Sequence, residues 1–296
     1  MYIFFYIYKI DSQLKLIKMK KILVPIDFSE QAIYAAKVAA KIAKQTDSEL
    51  HLLHMLELPT EIIDPSNFGN ASNSPTTLLY MKRAQEKFEK MTKRYFLKDI
   101  KVVKSVFFHE TFDGIIEEST KQNVDLIVMG SKGVSGFNEI LVGSNTEKVV
   151  RRSKVPVLVI KNEIENFKIE NLIFASDFGP ENKKTFPKIV QFAKIFDAKI
   201  HLLKVNTVQK FEPTLKTHLK IKDYIKEFDK EMFTINIHND DSVKMGILNF
   251  CDFIDADMIA LNTDGYRGLM HFFSGSLSKD LANHAIKPVI TFKLED

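Results

Sequence analysis

The chain has 296 residues, of which 45% are hydrophobic and 27% charged, a composition typical of soluble globular proteins and a length that accommodates two domains. The net charge of +4 comes from interspersed Lys and Glu residues without a basic block, so the composition does not indicate a nucleic-acid partner. The single cysteine, Cys251, excludes an intramolecular disulfide framework and indicates a reducing compartment, and we therefore expect a cytoplasmic protein.

The first 18 residues differ in composition from the rest, because eight of the first ten are Tyr, Ile or Phe. This run is shorter than the roughly 20 apolar residues that span a bilayer, and it lacks the charged start and cleavage site of a signal peptide. We expect the folded unit, and the natural translation start, to begin at Met19. An additional strand or a membrane-surface contact is the alternative. No other segment has the length and apolarity of a membrane span, so we expect no membrane partner.

From Lys20 onwards, apolar strands and helices are predicted to alternate. The predicted strands cover 22–27, 50–55, 102–108, 126–129 and 157–160, and predicted helices follow Ser29 and cover 78–97, 112–121 and 146–152, with a long loop over 57–76. The first helix has an apolar stripe of Ile33, Ala36, Ala40 and Ala43, and the second one of Met81, Ala84, Phe88, Met91 and Tyr95. This alternation predicts an α/β fold with a parallel sheet covered by helices on both faces.

A glycine-rich turn follows the fourth predicted strand. Gly130-Ser131-Lys132-Gly133 is separated by nine residues from Gly143-Ser144, after which a helix is predicted. Strand, glycine-rich turn and helix is an arrangement in which backbone N–H groups and a helix N-terminus can face a phosphate. Ser144 adds a hydroxyl, either as helix N-cap or as a phosphate donor. The sequence therefore predicts a phosphate site here, against the alternative that the glycines only mark a loop.

The chain then repeats itself. Residues 172–178 match 22–28 and residues 200–203 match 50–53 at an offset of 150, whereas 256–259 match 124–127 and 287–290 match 155–158 at an offset of 132. The second copy is thus 18 residues shorter in its middle. We predict a tandem duplication with an extension at 1–18, a first domain at 19–162 and a second at 171–296.

With both copies in view, the sequence resembles the universal stress protein family. The resemblance rests on Lys20 to Ser29, which look like the family's first strand, and on the long spacing from Gly130 to Ser144, which matches its ATP-binding branch. It implies two tandem Rossmann-like domains related to the adenine nucleotide alpha hydrolases, each with a five-stranded parallel sheet, paired through their last strands as an internal pseudo-dimer. It also implies ATP, with any Mg²⁺ carried by the phosphates, at the carboxyl ends of the strands.

The resemblance assigns site residues in the first copy. Val24, Pro25 and Met55 would wall the adenine, Asp27 would accept hydrogen bonds from ribose hydroxyls, and the phosphates would lie against Gly130, Ser131, Gly133, Gly143 and Ser144, with Met129 and Asn145 beside them. Asp27 has an alternative role as a carboxylate that stabilises a helix N-terminus. Lys132 adds charge or is simply solvated, and His109 either approaches the site or lies in a solvated turn.

The second copy departs from this pattern. Asn262 stands at the first glycine position, and Asp264 stands where Lys132 stands in the first copy, although Asp177, Gly265, Gly275 and Ser276 remain. A carboxylate beside a triphosphate repels it. The second copy is therefore expected mainly to complete the pseudo-dimer by pairing residues 289–292 with 157–160, with a site for a less charged ligand as the alternative.

An intact phosphate motif without recognisable catalytic apparatus favours a nucleotide-binding regulatory protein whose bound state signals energy or stress. The chain has neither a P-loop nor a Gly-x-Ser-x-Gly elbow, and no His or carboxylate cluster has metal-ligand spacing. Two alternatives stay open: a slow ATP hydrolase in which Asp27 or His109 orients water, and a scaffold that binds no nucleotide and acts through dimer contacts. Further homodimerisation also stays open.

Overall fold

The computed structural model describes residues 19–56, 75–131, 143–263 and 287–294. The strands are β1 Lys21–Pro25, β2 Glu49–Leu56, β3 Val102–Phe108, β4 Leu126–Gly130, β5 Val157–Ile160, β6 Asn171–Ala175, β7 Lys199–Asn206, β8 Phe233–Asn239, β9 Met258–Thr263 and β10 Val289–Lys293. The α-helices are α1 Glu30–Thr46, α2 Pro75–Thr92, α3 Thr111–Lys121, α4 Ser144–Arg152, α5 Phe186–Ile195, α6 Thr214–Tyr224 and α7 Val243–Phe253.

The ten strands within the described ranges form one sheet in the order β3-β2-β1-β4-β5-β10-β9-β6-β7-β8. Neighbouring strands within each half are parallel, as helical crossovers require. The halves meet where β5 and β10 pair antiparallel, with Leu158 opposite Ile290 and Thr291 opposite Val157. The predicted α/β fold with two five-stranded halves is confirmed, and the last strands pair as expected for an internal pseudo-dimer.

The core explains why inner strands such as β4 and β5 are apolar on both faces. One face of the sheet carries a hydrophobic cluster that runs through both halves and includes residues of β1, β5, β6 and β10. On the opposite face, each half has its own smaller cluster, beneath α3 and α4 in the first half and beneath α7 in the second. Burial of Cys251 in the cluster of the second half raises the pKa of its thiol to about 12, so this residue is a buried apolar group.

The second predicted helix needs a correction. It covers Pro75–Thr92 rather than 78–97, and a short 3₁₀ turn at Tyr95–Leu97 follows it. Tyr95, expected in the apolar stripe, is 81% exposed, because the change of helix type turns Phe96 and Leu97 inwards instead. Helical periodicity therefore predicted the stripe only as far as Met91.

Several predictions concern residues outside those described. These are the first 18 residues, most of the 57–76 loop, Lys132 and Gly133 of the glycine-rich turn, and Asp264, Gly265, Gly275 and Ser276 of the second copy. Among the helices of the described ranges, none combines the length and apolarity needed to cross a membrane.

Candidate functional site

A cavity of about 350 Å³ lies at the carboxyl ends of β1, β2 and β4, where the starts of α1, α3 and α4 also meet. This is the edge at which open parallel sheets bind ligands, because successive strands end there and successive helices begin there. The described residues that line it are Pro25, Ile26, Asp27, Ala32, Leu53, His54, Met55, Thr111, Ile115, Met129, Gly130, Gly143, Ser144, Asn145 and Thr146.

The turn from β1 to α1 holds the Asp27 carboxylate at the cavity. Oδ1 of Asp27 accepts hydrogen bonds from the backbone N–H (2.9 Å) and the hydroxyl (2.6 Å) of Ser29. The Ser29 hydroxyl oxygen in turn accepts from the Ala32 N–H and caps α1. Phe28 adopts a left-handed φ of 66°, a conformation that costs a non-glycine residue on the order of 1 kcal/mol. Asp27 thus both stabilises a helix start and contributes a negative charge to the cavity.

The start of α4 is tied to the end of β4. The Thr146 hydroxyl donates to the Gly130 carbonyl (2.9 Å), and the Gly143 N–H donates to the Ser131 carbonyl (2.6 Å). The Ser131 N–H already donates to the Ile160 carbonyl, so this amide is not available to a ligand. Gly143 is the N-cap of α4 and Ser144 its first residue, so Ser144 is not the N-cap.

These ties aim the N-terminus of a nine-residue helix at the cavity. The first turn of a helix has N–H groups without intrahelical partners and carries the positive end of the helix dipole. Ser144 is exposed and Asn145 half-buried, so their polar groups are accessible beside those N–H groups. The α4 end of the cavity is therefore suited to an anion such as phosphate.

Gly130 is required for packing. A Cβ at this position would lie 2.8 Å from the Gln31 carbonyl carbon and 2.9 Å from its oxygen, both backbone atoms in the first turn of α1. The missing side chain lets the end of β4 contact the start of α1 directly. The glycine predicted to contact phosphate thus has a structural reason of its own.

His54 lies on the cavity wall, and the sequence pattern did not identify it as a site residue. Its Nδ1 is 2.6 Å from the Ile26 carbonyl, and its ring packs 4.9 Å from that of Phe28. Burial lowers the pKa of His54, and the nearby Lys87 ammonium lowers it further, whereas the Ile26 hydrogen bond and Asp27 act in the opposite direction. His54 therefore joins the ends of β1 and β2 as a neutral imidazole.

Because the pKa of His54 is lowered in the folded chain, the unfolded chain binds the proton first as the pH falls below about 6.5. We expect the His54 contribution to the free energy of unfolding to be complete above that pH and to be lost as the pH falls through the folded-state pKa. Denaturant titrations between pH 5.5 and 7.5 should give a flatter pH profile for His54→Gln than for the wild type.

His201 is a second histidine whose pKa burial lowers, so it should contribute to the pH dependence of stability in the same direction as His54. A His54→Gln, His201→Gln double variant should be flatter still. An unchanged slope in His54→Gln would contradict this account of the buried imidazole.

The structure brings most of the predicted site residues together, namely Pro25, Asp27, Met55, Met129, Gly130, Gly143, Ser144 and Asn145. Val24 and Ser131 are buried and do not line the cavity, and Gly133 is not described. His109 is exposed in its turn, 3.6 Å from Glu117, and is also absent from the cavity wall. The predicted site missed His54, Thr111 and Thr146. The positions of the two threonines in the first turn of a helix after a strand were the available signal.

Within the part of the chain that the structure describes, no group of three or more His, Cys, Asp or Glu side chains is arranged to hold a metal ion.

Comparison with known proteins identifies relatives that share this fold. The model of the universal stress protein family matches residues 18–161 and again 168–293. Two universal stress proteins of Methanocaldococcus jannaschii are each 32% identical, over 142 residues (48% of this chain, 82% of the relative) and over 157 residues (49% and 96%). The crystal structure of a universal stress protein from Archaeoglobus fulgidus matches with a TM-score of 0.70 and 22% identity, covering 94% of this chain and 98% of that one. The chain therefore belongs to the universal stress protein family, as a tandem form with two copies of the family's domain.

Proposed function

We propose that the chain binds an adenine nucleotide, ATP, in the cavity of its first half, and that the bound state regulates a stress response. The observation that carries the proposal is the pairing of a carboxylate and a helix N-terminus across one cavity at the carboxyl ends of the strands. Asp27 supplies the carboxylate, and α4 supplies the N-terminus. These two groups match two polar parts of a nucleotide, its ribose hydroxyls and its phosphates.

The roles follow from the chemistry of each wall. Asp27 accepts hydrogen bonds from ribose hydroxyls, which donate to a carboxylate more strongly than to a neutral acceptor. Pro25, Met55 and Met129 provide apolar surface for the adenine. The first turn of α4, with Ser144 and Asn145, takes the phosphates, and Mg²⁺ arrives with them because the described residues offer no separate metal cluster.

The direct test is nucleotide content and affinity. Purified protein is denatured to identify any released nucleotide, and stripped protein is titrated with Mg·ATP by isothermal calorimetry. Binding of ATP in preference to a pyrimidine nucleotide supports the proposal. No binding by a chain whose circular dichroism shows an intact fold would leave the non-binding scaffold as the better account.

Asp27→Asn tests the ribose contact. The amide keeps the shape of the carboxylate but removes its charge, and hydrogen bonds to charged groups contribute about 1.5–3 kcal/mol. We expect the affinity for ATP to fall roughly 10- to 100-fold, as measured by the same titration.

Asp177→Asn is the matched control, because Asp177 follows β6 as Asp27 follows β1, and its Oδ1 also accepts from the backbone N–H two residues on. This variant should bind ATP as the wild type does. Equal affinity in Asp27→Asn and the wild type would contradict the assigned role.

A turnover assay distinguishes the sensor from a hydrolase. For a sensor, ADP release with Mg·ATP stays below one equivalent per site over the time of the binding experiment. Steady release beyond one equivalent, lost in Asp27→Asn, would instead support slow hydrolysis by positioning and charge stabilisation.

A further inference from the structure

The strand registers match between the two halves of the sheet. Ile22 pairs with Leu126 in the first half, and Leu172 pairs with Met258 in the second. Continuing along these strands, Asp27 and Gly130 of the first half correspond to Asp177 and Asn262 of the second. The same alignment places Asn182 where Ala32 lines the first cavity.

In the second half, a chain of side-chain hydrogen bonds crosses this edge. Nδ2 of Asn182 donates to Oδ1 of Asp177 (2.8 Å), and Nδ2 of Asn262 donates to Oδ1 of Asn182 (2.7 Å). Oδ1 of Asn262 accepts from the Thr185 hydroxyl (3.1 Å). Asn182 is 7% exposed and Thr185 fully buried. We call the Asp177–Asn182–Asn262 connection the amide bridge.

The first half cannot form this bridge. Ala32 and Ala35 stand at the positions of Asn182 and Thr185, and both lack polar side-chain atoms. Gly130 stands at the position of Asn262, and any side chain there would meet the Gln31 backbone. The space that the amide bridge fills in the second half is therefore part of an open cavity in the first.

Pro187 explains why the second half has room for Asn262. It aligns with Lys37, which lies in the interior of α1, but proline lacks the N–H of a helix interior and its ring clashes with the preceding turn. The helix accordingly begins only at Phe186, and a 3₁₀ turn at Pro180–Lys184 replaces the first turns of α1. The 3₁₀ turn contacts the Asn262 side chain on β9. In the first half, α1 instead packs against the backbone of β4 at Gly130.

Charge in the second half also changes around the carboxylate. Lys204 stands where His54 stands in the first half and is half-buried. Burial lowers the pKa of Lys204, whereas the negative charges of Asp177 and Glu212 act to raise it. Asp177 therefore accepts an amide hydrogen bond and interacts electrostatically with a lysine of its own chain.

We propose that the second half closes its own nucleotide crevice. Gly179 stands at the position of Ser29, and the Asn182 amide takes the hydrogen bond to the carboxylate that the Ser29 hydroxyl donates in the first half. Asn182 and Asn262 thereby fill the space that lies open beside Ala32 and Gly130 in the first half, where the nucleotide lies under the proposed function on which this inference rests. Opening the crevice would leave the Asn182 and Asn262 amides without buried partners, which disfavours ligand entry. Each chain accordingly binds one nucleotide, and the second half serves as a permanently closed partner of the first.

The test combines binding stoichiometry with a direct probe of the bridge. Calorimetry with Mg·ATP is performed on the wild type and on Gly143→Asp, which blocks the first site with a carboxylate at the start of α4. Gly143 has φ −60° and ψ 146°, and aspartate is a preferred N-cap, so this variant should keep its fold. We expect one ATP per wild-type chain and none in Gly143→Asp. Two per wild-type chain, or one in folded Gly143→Asp, would overturn the inference.

Solvent exchange of asparagine side-chain amides, followed by NMR, tests the bridge without any nucleotide. The Asn182 and Asn262 amide protons should exchange at least about 10-fold more slowly than those of exposed Asn162, and Asn262→Ala should speed the exchange of Asn182. Exchange of Asn182 as fast as Asn162 would overturn the inference. If the wild type binds no ATP at all, the proposed function fails, and this exchange measurement alone decides whether the second half is closed.

Discussion

Replacing Leu158 by alanine is expected to lower the free energy of unfolding by about 2–5 kcal/mol, the cost of deleting a large buried side chain that its surroundings cannot refill. Leu158 is fully buried on β5 between Val128 of β4 and Ile290 of β10, which are also fully buried. It belongs to the cluster that runs through both halves. The cavity would therefore open at the seam, and denaturant unfolding followed by circular dichroism measures the loss.

The matched control is Leu219→Ala on α6, the same chemical change at a side chain that is 58% exposed. It should change the free energy of unfolding by no more than about 0.5 kcal/mol. Hydrogen exchange adds a spatial readout, because loss of packing at the seam should reduce amide protection in β4 and β9 alike. A Leu158→Ala protein with protection reduced only in the first half would show that the halves are not one cooperative unit.

Overpacking a well-packed region usually costs about 1–3 kcal/mol. Gly130→Ala is expected to destabilise the chain by an amount at the upper end of this range. The added methyl group would lie within 3 Å of the Gln31 backbone, so relief requires the first turn of α1 to move away from β4. Because Asp27 is hydrogen-bonded to the same turn, ATP affinity should fall together with stability. Thermal unfolding and calorimetry on the same preparation measure the two effects.

Gly114→Ala provides the contrast within the same site. A Cβ there would lie 2.5 Å from Cε and 2.7 Å from Sδ of Met55, but this is the end of a flexible side chain that can rotate away. Alanine also gains helix propensity of about 1 kcal/mol over glycine in α3. We expect little net change in stability, with an effect confined to the Met55 wall of the cavity. Equal destabilisation by the two variants would contradict the distinction between backbone and side-chain contact.

Much of the fold was determined by the sequence alone, because its signals are local. The runs at 102–108 and 157–160 coincide with β3 and β5. The signal is strongest for β5, because a strand buried on both faces must be apolar throughout. The two offsets of the repeat predicted two similar halves, and the strand registers agree with both. The glycine spacing indicated the edge at which Gly130 and Gly143 lie on one cavity.

What each side chain does at that edge was decided only by tertiary structure. Nothing local distinguishes a glycine that contacts phosphate from one that packs against Gln31, and nothing local separates His54 on the cavity wall from His109 in an exposed turn.

The second half shows most clearly that tertiary structure decides the role of a side chain. In the sequence, the presence of Asn262 in place of glycine indicated only a degenerate motif. Its meaning depends on Asn182, 80 residues earlier, and on a helix start displaced by Pro187. Residues so distant in the chain meet only when strands and helices pack together. The sequence therefore determined which edge of the sheet carries the glycine motif, and packing decided that side chains cross this edge in the second half and leave a cavity in the first.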